Sequence, residues 1–188
     1  MEINISEDTL VVWQSLLDLL ASKFIIPAAL IMKVEMPHIK VFLSSNSEGN
    51  PYEAGDKECL IDSGLYCERV INTKSKLVIP NALTDPEWNT NPDIKLGMIS
   101  YLGFPLILPN GEVFGTICIL DSKENSFEGD HSDVVQIFRQ YVESYLDLKY
   151  SKQMGFGSQE IRDKEAHADE MLTRIEKLLG IGQNRYEI

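Results

Sequence analysis

The chain has 188 residues, of which 44% are hydrophobic and 24% are charged. This composition indicates one globular domain with an appendage, and it excludes a disordered chain and a disulfide-stapled miniprotein. The 17 basic and 29 acidic side chains give a formal net charge of −12, and because such a charge repels phosphate backbones, we expect no nucleic-acid partner.

The three cysteines, Cys59, Cys67 and Cys118, have neither CxxC spacing nor a histidine at a metal-ligand spacing. We therefore expect reduced thiols in a cytoplasmic protein, and no metal site. The chain starts with acidic and polar residues, unlike a signal peptide, and no apolar run approaches the about 20 residues of a membrane span. We expect no membrane segment in this chain.

The first part of the chain predicts one helix and two strands. Apolar residues at alternating steps of three and four predict an amphipathic helix over residues 6–24, with Ser6 as its N-cap. The aliphatic and β-branched runs Ala28–Val34 and Ile39–Ser44 predict an antiparallel strand pair.

The middle of the chain predicts a short helix, a short strand and a long loop. The helix opens at Asp62 and ends near Asn72, and the strand covers Leu77–Ile79. The loop Asn81–Pro92 is dense in Pro, Asn and Asp and carries Trp88. A tryptophan in such a loop is expected to fold back over the domain.

A β-hairpin is the clearest local prediction. Two apolar runs, Phe104–Leu108 and Val113–Leu120, flank Pro109, Asn110 and Gly111. Asn-Gly between apolar runs favours a type I′ turn. Both runs are nearly continuously apolar, so we expect both faces of the hairpin to be covered.

A long helix follows, for which Asp130 is the predicted cap. Its apolar residues cover more than one narrow stripe, so one face can pack on the sheet while a second face meets another helix. The glycines near residue 156 predict a linker over 151–158.

Residues 159–188 are predicted as a helical extension that forms a weak coiled coil. Two sets of residues at seven-residue intervals carry this prediction: Ile161, Ala168 and Ile175, and Lys164, Met171 and Leu178.

Sequence motifs for catalysis are missing. Zinc-protease, phosphate-loop, serine-hydrolase and paired-cysteine patterns are absent, and no histidine has the spacing of a catalytic triad. Cys67 and Cys118 are interpreted as packed thiols, with a reactive thiol as the alternative. The aromatic and polar residues of the long loop fit the mouth of a small-molecule pocket, although Trp88 could equally plug the open end of the domain.

The order of these elements, over about residues 6–150, resembles the GAF domain. Three sequence segments are also similar, in their residues and spacing, to a bacterial signalling subfamily of GAF domains. They are Gly64–Ile71 (GLYCERVI), Leu77–Pro92 (LVIPNALTDPEWNTNP) and Tyr101–Asp121 (YLGFPLILPNGEVFGTICILD).

The resemblance implies an α+β, PAS-like fold with an antiparallel sheet of about six strands. The terminal helices would lie on one face, and a pocket with its lid segments on the other, with the domain over residues 1–150. It also implies a non-enzymatic sensory or regulatory function in bacterial signal transduction. The implied partners are an unidentified small ligand, a second copy bound through the first and last helices, and a histidine kinase or diguanylate cyclase output domain.

The family pattern also places the candidate ligand-binding residues. Those at the pocket mouth are Asp85, Trp88, Asn91 and Tyr101, and those deeper in the wall are Cys67, Phe104 and Cys118. No catalytic residue is assigned, and neither the ligand nor a cofactor is identified.

Departures from the family pattern argue against three of the specialised functions found in GAF domains. The NKFDE pattern of cyclic-nucleotide-binding members survives only in fragments over 121–130, and the Cys-His pair of bilin-binding members is absent. The free methionine sulfoxide reductases carry cysteines in the lid, where residues 77–103 have none. A thiol-based reductase of that type stays one alternative function, and a ligand-free dimerisation module is the other.

Overall fold

The computed structural model describes residues 3–181. Its helices are α1 (Glu7–Phe24), α2 (Tyr66–Thr73), α3 (Asp130–Gln153) and α4 (Ser158–Leu179). Its strands are β1 (Ala28–Glu35), β2 (His38–Ser44), β3 (Lys57–Cys59), β4 (Leu77–Ile79), β5 (Ser100–Ile107) and β6 (Val113–Asp121). Two short 3₁₀ helices, Ala82–Thr84 and Pro92–Leu96, lie between β4 and β5.

The described strands form one antiparallel sheet in the order β3-β2-β1-β6-β5-β4. Successive side chains of a strand point to opposite faces. Ala29 and Ile31 of β1 therefore enter a core with α1, α3 and α4, whereas Leu30 and Met32 enter a second core under α2 and the 3₁₀ segments. The predicted α+β arrangement, with terminal helices on one face and lid segments on the other, is confirmed.

The predicted first helix and strand pair are confirmed. Ser6 is the N-cap of α1, but its hydroxyl lies 2.8 Å from the Thr9 hydroxyl and caps no backbone N–H. β1 and β2 pair in antiparallel register from Glu35 and His38 to Leu30 and Ser44. Strand β3 was not predicted, because its three residues are exposed and form no apolar pattern; they pair with β2 through the backbone.

The short helix begins later than predicted, at Tyr66 instead of Asp62. The cause is the backbone before it, since Asp62 and Gly64 both have positive φ angles, of 53° and 73°. The Glu68 carboxylate accepts hydrogen bonds from the N–H groups of these two residues, at 2.7 and 2.9 Å. The segment therefore forms a loop tied back onto the first turn of α2.

The predicted hairpin is confirmed, but its predicted type I′ turn is wrong. Of the turn residues, only Gly111 has a positive φ, of 82°. Proline fixes the φ of Pro109 near −65°, and the Gly111 N–H donates to the Leu108 carbonyl at 2.8 Å. The turn is therefore a tight β-turn followed by a left-handed glycine, a form that accepts Asn110 at negative φ.

The predicted cap of the long helix is also wrong. Gly129 is the N-cap, at a φ of 62°, and Asp130 is the first helical residue. Its carboxylate still favours the helix, because negative charge in the first turn complements the helix dipole.

The C-terminal helix folds back along α3 and also contacts α1. Ala168, Met171, Ile175 and Leu179 are its buried residues, and the last three join the core of the helical layer. The interval between α3 and α4 is short, residues 154–157, within the predicted linker 151–158. The second face that the sequence indicated on α3 thus meets a helix of the same chain. Within residues 3–181, no helix has the length and apolarity needed to cross a bilayer.

Candidate functional site

A cavity of about 480 Å³ lies between the sheet and the lid segments. Its floor consists of residues that β1, β2 and β6 direct to the lid side, and its roof consists of α2, the second 3₁₀ helix and the loop before β3. The residues that line it are Leu30, Met32, Ile39, Val41, Pro51, Tyr52, Asp56, Lys57, Glu58, Leu65, Cys67, Pro92, Asp93, Lys95, Leu96, Tyr101, Cys118 and Leu120.

The floor of the cavity is apolar because of strand alternation. Leu30 and Met32 are two residues apart on β1, as are Cys118 and Leu120 on β6, and Leu30 pairs directly with Cys118. The same register sends Ile117 and Ile119 of β6 into the helical core. One strand therefore contributes to the cavity and to the helical layer with alternate residues.

Cys67 lies at the centre of a small polar cluster in the cavity wall. Thr116 Oγ1 donates to Cys67 Sγ at 3.3 Å, and the Tyr101 hydroxyl lies 3.5 Å from the same sulfur. The pKa of Cys67 is lowered, chiefly because the Cys118 thiol hydrogen-bonds to it. That hydrogen bond and burial raise the pKa of Cys118. Of the two thiols, Cys67 is therefore the more acidic and Cys118 the less acidic.

Asp93 places a carboxylate in the opposite wall. Its side chain is buried, and the Tyr52 hydroxyl donates to Asp93 Oδ1 at 2.9 Å. Burial raises the pKa of Asp93 from 3.8 to about 6, and the negative charge of Glu58 adds to this, while the Tyr52 hydrogen bond lowers it. Desolvation therefore outweighs the one hydrogen bond that stabilises the ionised form.

The backbone around Asp93 is fixed by short-range hydrogen bonds. Asn91 Oδ1 accepts from the Asp93 N–H at 2.9 Å, and the Met98 N–H donates to the Asp93 carbonyl at 3.0 Å. Asn91 Nδ2 also donates to the Gly64 carbonyl at 2.7 Å, which ties this segment to the start of α2. The backbone that carries the Asp93 carboxyl group is thus held in position by the fold.

Tyr101 closes one end of the cavity beneath α2. Its ring stacks on Tyr66 with centroids 4.8 Å apart, and Tyr66 in turn packs on Trp88 at 5.2 Å. The Tyr101 ring lies across Gly103, where a Cβ would come within 2.0 Å of the tyrosine hydroxyl oxygen. Glycine at position 103 therefore provides the space that Tyr101 occupies.

The structure brings three of the seven candidate ligand-binding residues into the cavity, Cys67, Tyr101 and Cys118. Trp88 and Asn91 lie beside it: Trp88 packs on the outer side of Tyr66, and Asn91 holds the lid. Neither of these two lines the cavity.

The remaining two candidates lie elsewhere. Phe104 points to the opposite face of the sheet and joins the helical core, because it is an odd number of residues from Tyr101 along β5. Asp85 accepts the Glu87 N–H at 2.9 Å in a local turn and does not line the cavity.

Sequence reasoning missed the polar pair of the cavity, Tyr52 and Asp93. Tyr52 belongs to a loop and Asp93 to a short 3₁₀ helix, and they are 41 residues apart, so no spacing rule connects them. The one available signal was Asn91 two residues before Asp93, a pattern that favours a side-chain turn which fixes the following backbone.

No group of three metal-ligating side chains is assembled within residues 3–181. The histidines are also dispersed: His38 and His167 are exposed, and the His131 ring stacks on Phe24 with centroids 4.2 Å apart. The buried polar groups of the cavity are therefore thiols, phenols and the Asp93 carboxyl group, while the other charged residues that line it are exposed.

Comparison with known proteins agrees with the fold described above. The sequence model described as "GAF domain" matches residues 16–147. No curated protein sequence matches the chain.

Solved structures with the same fold have low sequence identity to this chain. The blue-light absorbing form of the PixJ GAF domain from Thermosynechococcus elongatus is 12% identical with a TM-score of 0.64, covering 81% of this chain and 95% of that chain. A structure of the cyanobacteriochrome receptor PixJ is 13% identical with a TM-score of 0.62, covering 74% and 95%. Residues 122 to 287 of a methyl-accepting chemotaxis protein are 14% identical with a TM-score of 0.58, covering 93% of each chain.

Proposed function

The chain belongs to the GAF domain family, whose members are typical of sensory and signalling proteins, and we propose that it is a non-enzymatic sensory domain that binds a small ligand. The observation that carries this proposal is the cavity of about 480 Å³ under the lid. Its size and its apolar floor with a few fixed polar groups are typical of small-molecule sites. Its volume also favours a ligand over the alternative of a pocketless dimerisation module.

The sheet offers a physical route from the cavity to the helices. On β6, Cys118 and Leu120 border the cavity while Ile117 and Ile119 pack in the helical core. A ligand that moves or stiffens this strand would bias the packing of α1, α3 and α4. It would do so only to the extent that it binds one helix arrangement more tightly than another.

The proposed output runs through the helical layer. We propose a homodimer that forms through faces of the first and last domain helices, α1 and α3, and a histidine kinase or diguanylate cyclase as the output domain. On α1, Val11 is 65% exposed, which leaves an apolar contact for a second copy. The free cavity thiols fit the cytoplasmic location that we propose.

Native mass spectrometry of the full chain, purified from cells that express it naturally, tests the proposal. We expect a bound small molecule in the wild type and in Met154→Trp, a control at an exposed position outside the cavity. We expect its loss in Met32→Trp, which fills the cavity floor. The proposal is contradicted if the wild type carries no small molecule and no component of a metabolite extract raises its melting temperature.

A second candidate function is a thiol-based reductase of small sulfoxides. The observation that favours it is the pair of Cys67 and Cys118 in one cavity, with Thr116 and Tyr101 beside the Cys67 sulfur. The reaction would convert a sulfoxide and two thiols into a sulfide, one disulfide and water. The two sulfur atoms supply the two electrons, and their protons leave with the oxygen.

Turnover of free methionine sulfoxide with dithiothreitol as the reductant tests this second function. Loss of activity in Cys67→Ser and Cys118→Ser would support it. The matched control is Cys59→Ser, because Cys59 is exposed and lies outside the cavity. Wild-type activity at the level of the buffer blank would rule the function out.

A further inference from the structure

The cavity that we propose as the ligand site contains one buried carboxyl group, that of Asp93. Within residues 3–181, this carboxyl group forms no salt bridge, and the Tyr52 hydroxyl is its one hydrogen-bond donor, through Oδ1. Buried carboxylates are costly unless a positive group or several donors compensate them. The protein itself supplies a single donor.

The charges around the cavity favour a cation over an anion. Three acidic residues line it, Asp56, Glu58 and Asp93, with two lysines. The charge of Lys57 is already engaged, since its Nζ lies 2.6 Å from Glu35 Oε2, and Lys95 is exposed. The formal net charge of −12 attracts cations over a longer range.

The rest of the cavity surface would accept an apolar body. Leu30, Met32 and Leu120 form the floor, and the Tyr101 ring closes one end. Aromatic faces also attract an ammonium group that lies over them. We propose that the cavity takes a small organic ammonium ion, a protonated amine on an apolar or aromatic body, whose nitrogen donates to the Asp93 carboxylate. This inference rests on the proposed ligand-binding function.

Three probes of similar shape and different charge test the inference by calorimetry with the full chain: benzylamine, benzyl alcohol and benzoate. We expect the wild type to bind benzylamine most tightly at about pH 7.5, because a charge-assisted hydrogen bond adds to the burial of the ring. In Asp93→Asn, affinity for benzylamine should fall by about tenfold or more while affinity for benzyl alcohol stays the same. Glu58→Gln is the matched control, since it removes one negative charge at the cavity and leaves Asp93 in place.

The pH dependence of binding is a second measurement, made on the wild type alone. Burial raises the pKa of Asp93 to about 6, so the carboxylate is ionised at about pH 7.5 and mostly protonated at about pH 5. Benzylamine stays protonated at both values, and its affinity should fall about tenfold between them. The groups that face Asp93 are Tyr52, Glu58, Tyr66, Cys67, Tyr101 and Cys118.

Controls separate Asp93 from these neighbours. Burial raises the pKa values of the three tyrosines, and the hydrogen bond with Cys67 together with burial raises that of Cys118, so these groups stay neutral over the range. Glu58→Gln and Cys67→Ser should retain the pH profile, whereas Asp93→Asn should abolish it.

The outcomes distinguish this inference from the function on which it rests. Equal or tighter binding of benzyl alcohol or benzoate by the wild type would overturn the ammonium inference and leave a ligand-binding cavity. Binding of none of the three probes would also overturn it. The proposed sensory function would then still be decided by the bound small molecule in native mass spectrometry and by its loss in Met32→Trp.

Discussion

The buried carboxyl group of Asp93 costs the unliganded protein stability. Its pKa is 3.8 in the unfolded reference and about 6 in the folded protein, chiefly because of burial. The folded state therefore binds the proton more tightly, and stability falls as the pH rises from about 4 through 6. The difference between the two pKa values corresponds to about 3 kcal/mol at neutral pH.

Asp93→Asn should therefore stabilise the unliganded protein by about 1–3 kcal/mol at about pH 7.5, because the amide is neutral and can still accept from Tyr52. The advantage should shrink to less than about 1 kcal/mol near about pH 4, where the folded carboxyl group is protonated and the unfolded one is about half protonated. Urea denaturation at the two pH values measures this. An equal effect at both would contradict the assigned cause.

The close contact between Gly103 and Tyr101 gives a second prediction for a single residue. A Cβ at position 103 would lie 2.0 Å from the Tyr101 hydroxyl oxygen, and the ring is buried under α2. Gly103→Ala should therefore displace the ring and lower the free energy of unfolding by about 1–3 kcal/mol. Gly157→Ala is the control, because its Cβ would meet no atom within 4 Å. Equal denaturation midpoints for the two variants would show that the ring moves without cost.

For helix α4, the sequence predicted a helix but not the surface of the chain on which it packs. Two of its heptad residues now differ in burial: Ile175 is fully buried, and Leu178 is 37% exposed. Ile175→Ala should cost about 2–4 kcal/mol of global stability, since it leaves a cavity in the helical core. Leu178→Ala should cost less than about 1 kcal/mol.

Chemical denaturation followed by circular dichroism at 222 nm, a standard helix signal, measures both variants. If α4 were an independent extension, Ile175→Ala would leave the main unfolding transition unchanged. That result would mean that the contacts of α4 with α1 and α3 contribute little to the stability of the domain.

For the whole molecule, the sheet should couple its two cores into one unfolding unit. The two tryptophans report on opposite faces of the sheet. Trp13 lies in the core with α1, α3 and α4, and Trp88 lies in the core under α2 and the 3₁₀ segments, the lid side. Since β1, β5 and β6 contribute alternate residues to both cores, loss of either core removes support from the other.

Trp13→Phe and Trp88→Phe each leave a single fluorescent reporter, because the chain has only 2 tryptophans. Each variant should unfold with one transition, at the same denaturant concentration by fluorescence as by circular dichroism. A lid transition at lower denaturant, seen by Trp88 alone, would instead identify the lid as a separate unit of lower stability.

The family blocks and the periodicity of apolar residues were sufficient to predict most of the fold. The helix over 6–24, the first strand pair and the hairpin follow from local spacing, and local spacing is a property of the sequence. Two predictions, the start of α2 and the type of the hairpin turn, were wrong, and the cause was again local. The start of α2 was displaced by positive φ angles at Asp62 and Gly64, and the hairpin turn adopted the form that Pro109 permits.

The candidate site was predicted less completely, for a physical reason. Cys67, Tyr101 and Cys118 belong to elements whose register the pattern fixes, and the structure brings them together in the cavity. Tyr52 and Asp93 meet there from a loop and a short 3₁₀ helix that are distant in sequence, and Phe104 points away from the cavity because of strand alternation.

The amino-acid sequence by itself thus determined the order of most elements, because this depends on periodic burial along the chain. The GAF family followed from the resemblance of three sequence blocks, and the two-sided sheet was what that resemblance implied. Only the tertiary structure decided that the buried Asp93 carboxyl group has no salt-bridge partner within residues 3–181, and that α4 packs on α3 and α1 of its own chain. Both outcomes depend on which distant surfaces meet, and that is set by the packing of the whole molecule and not by any local spacing.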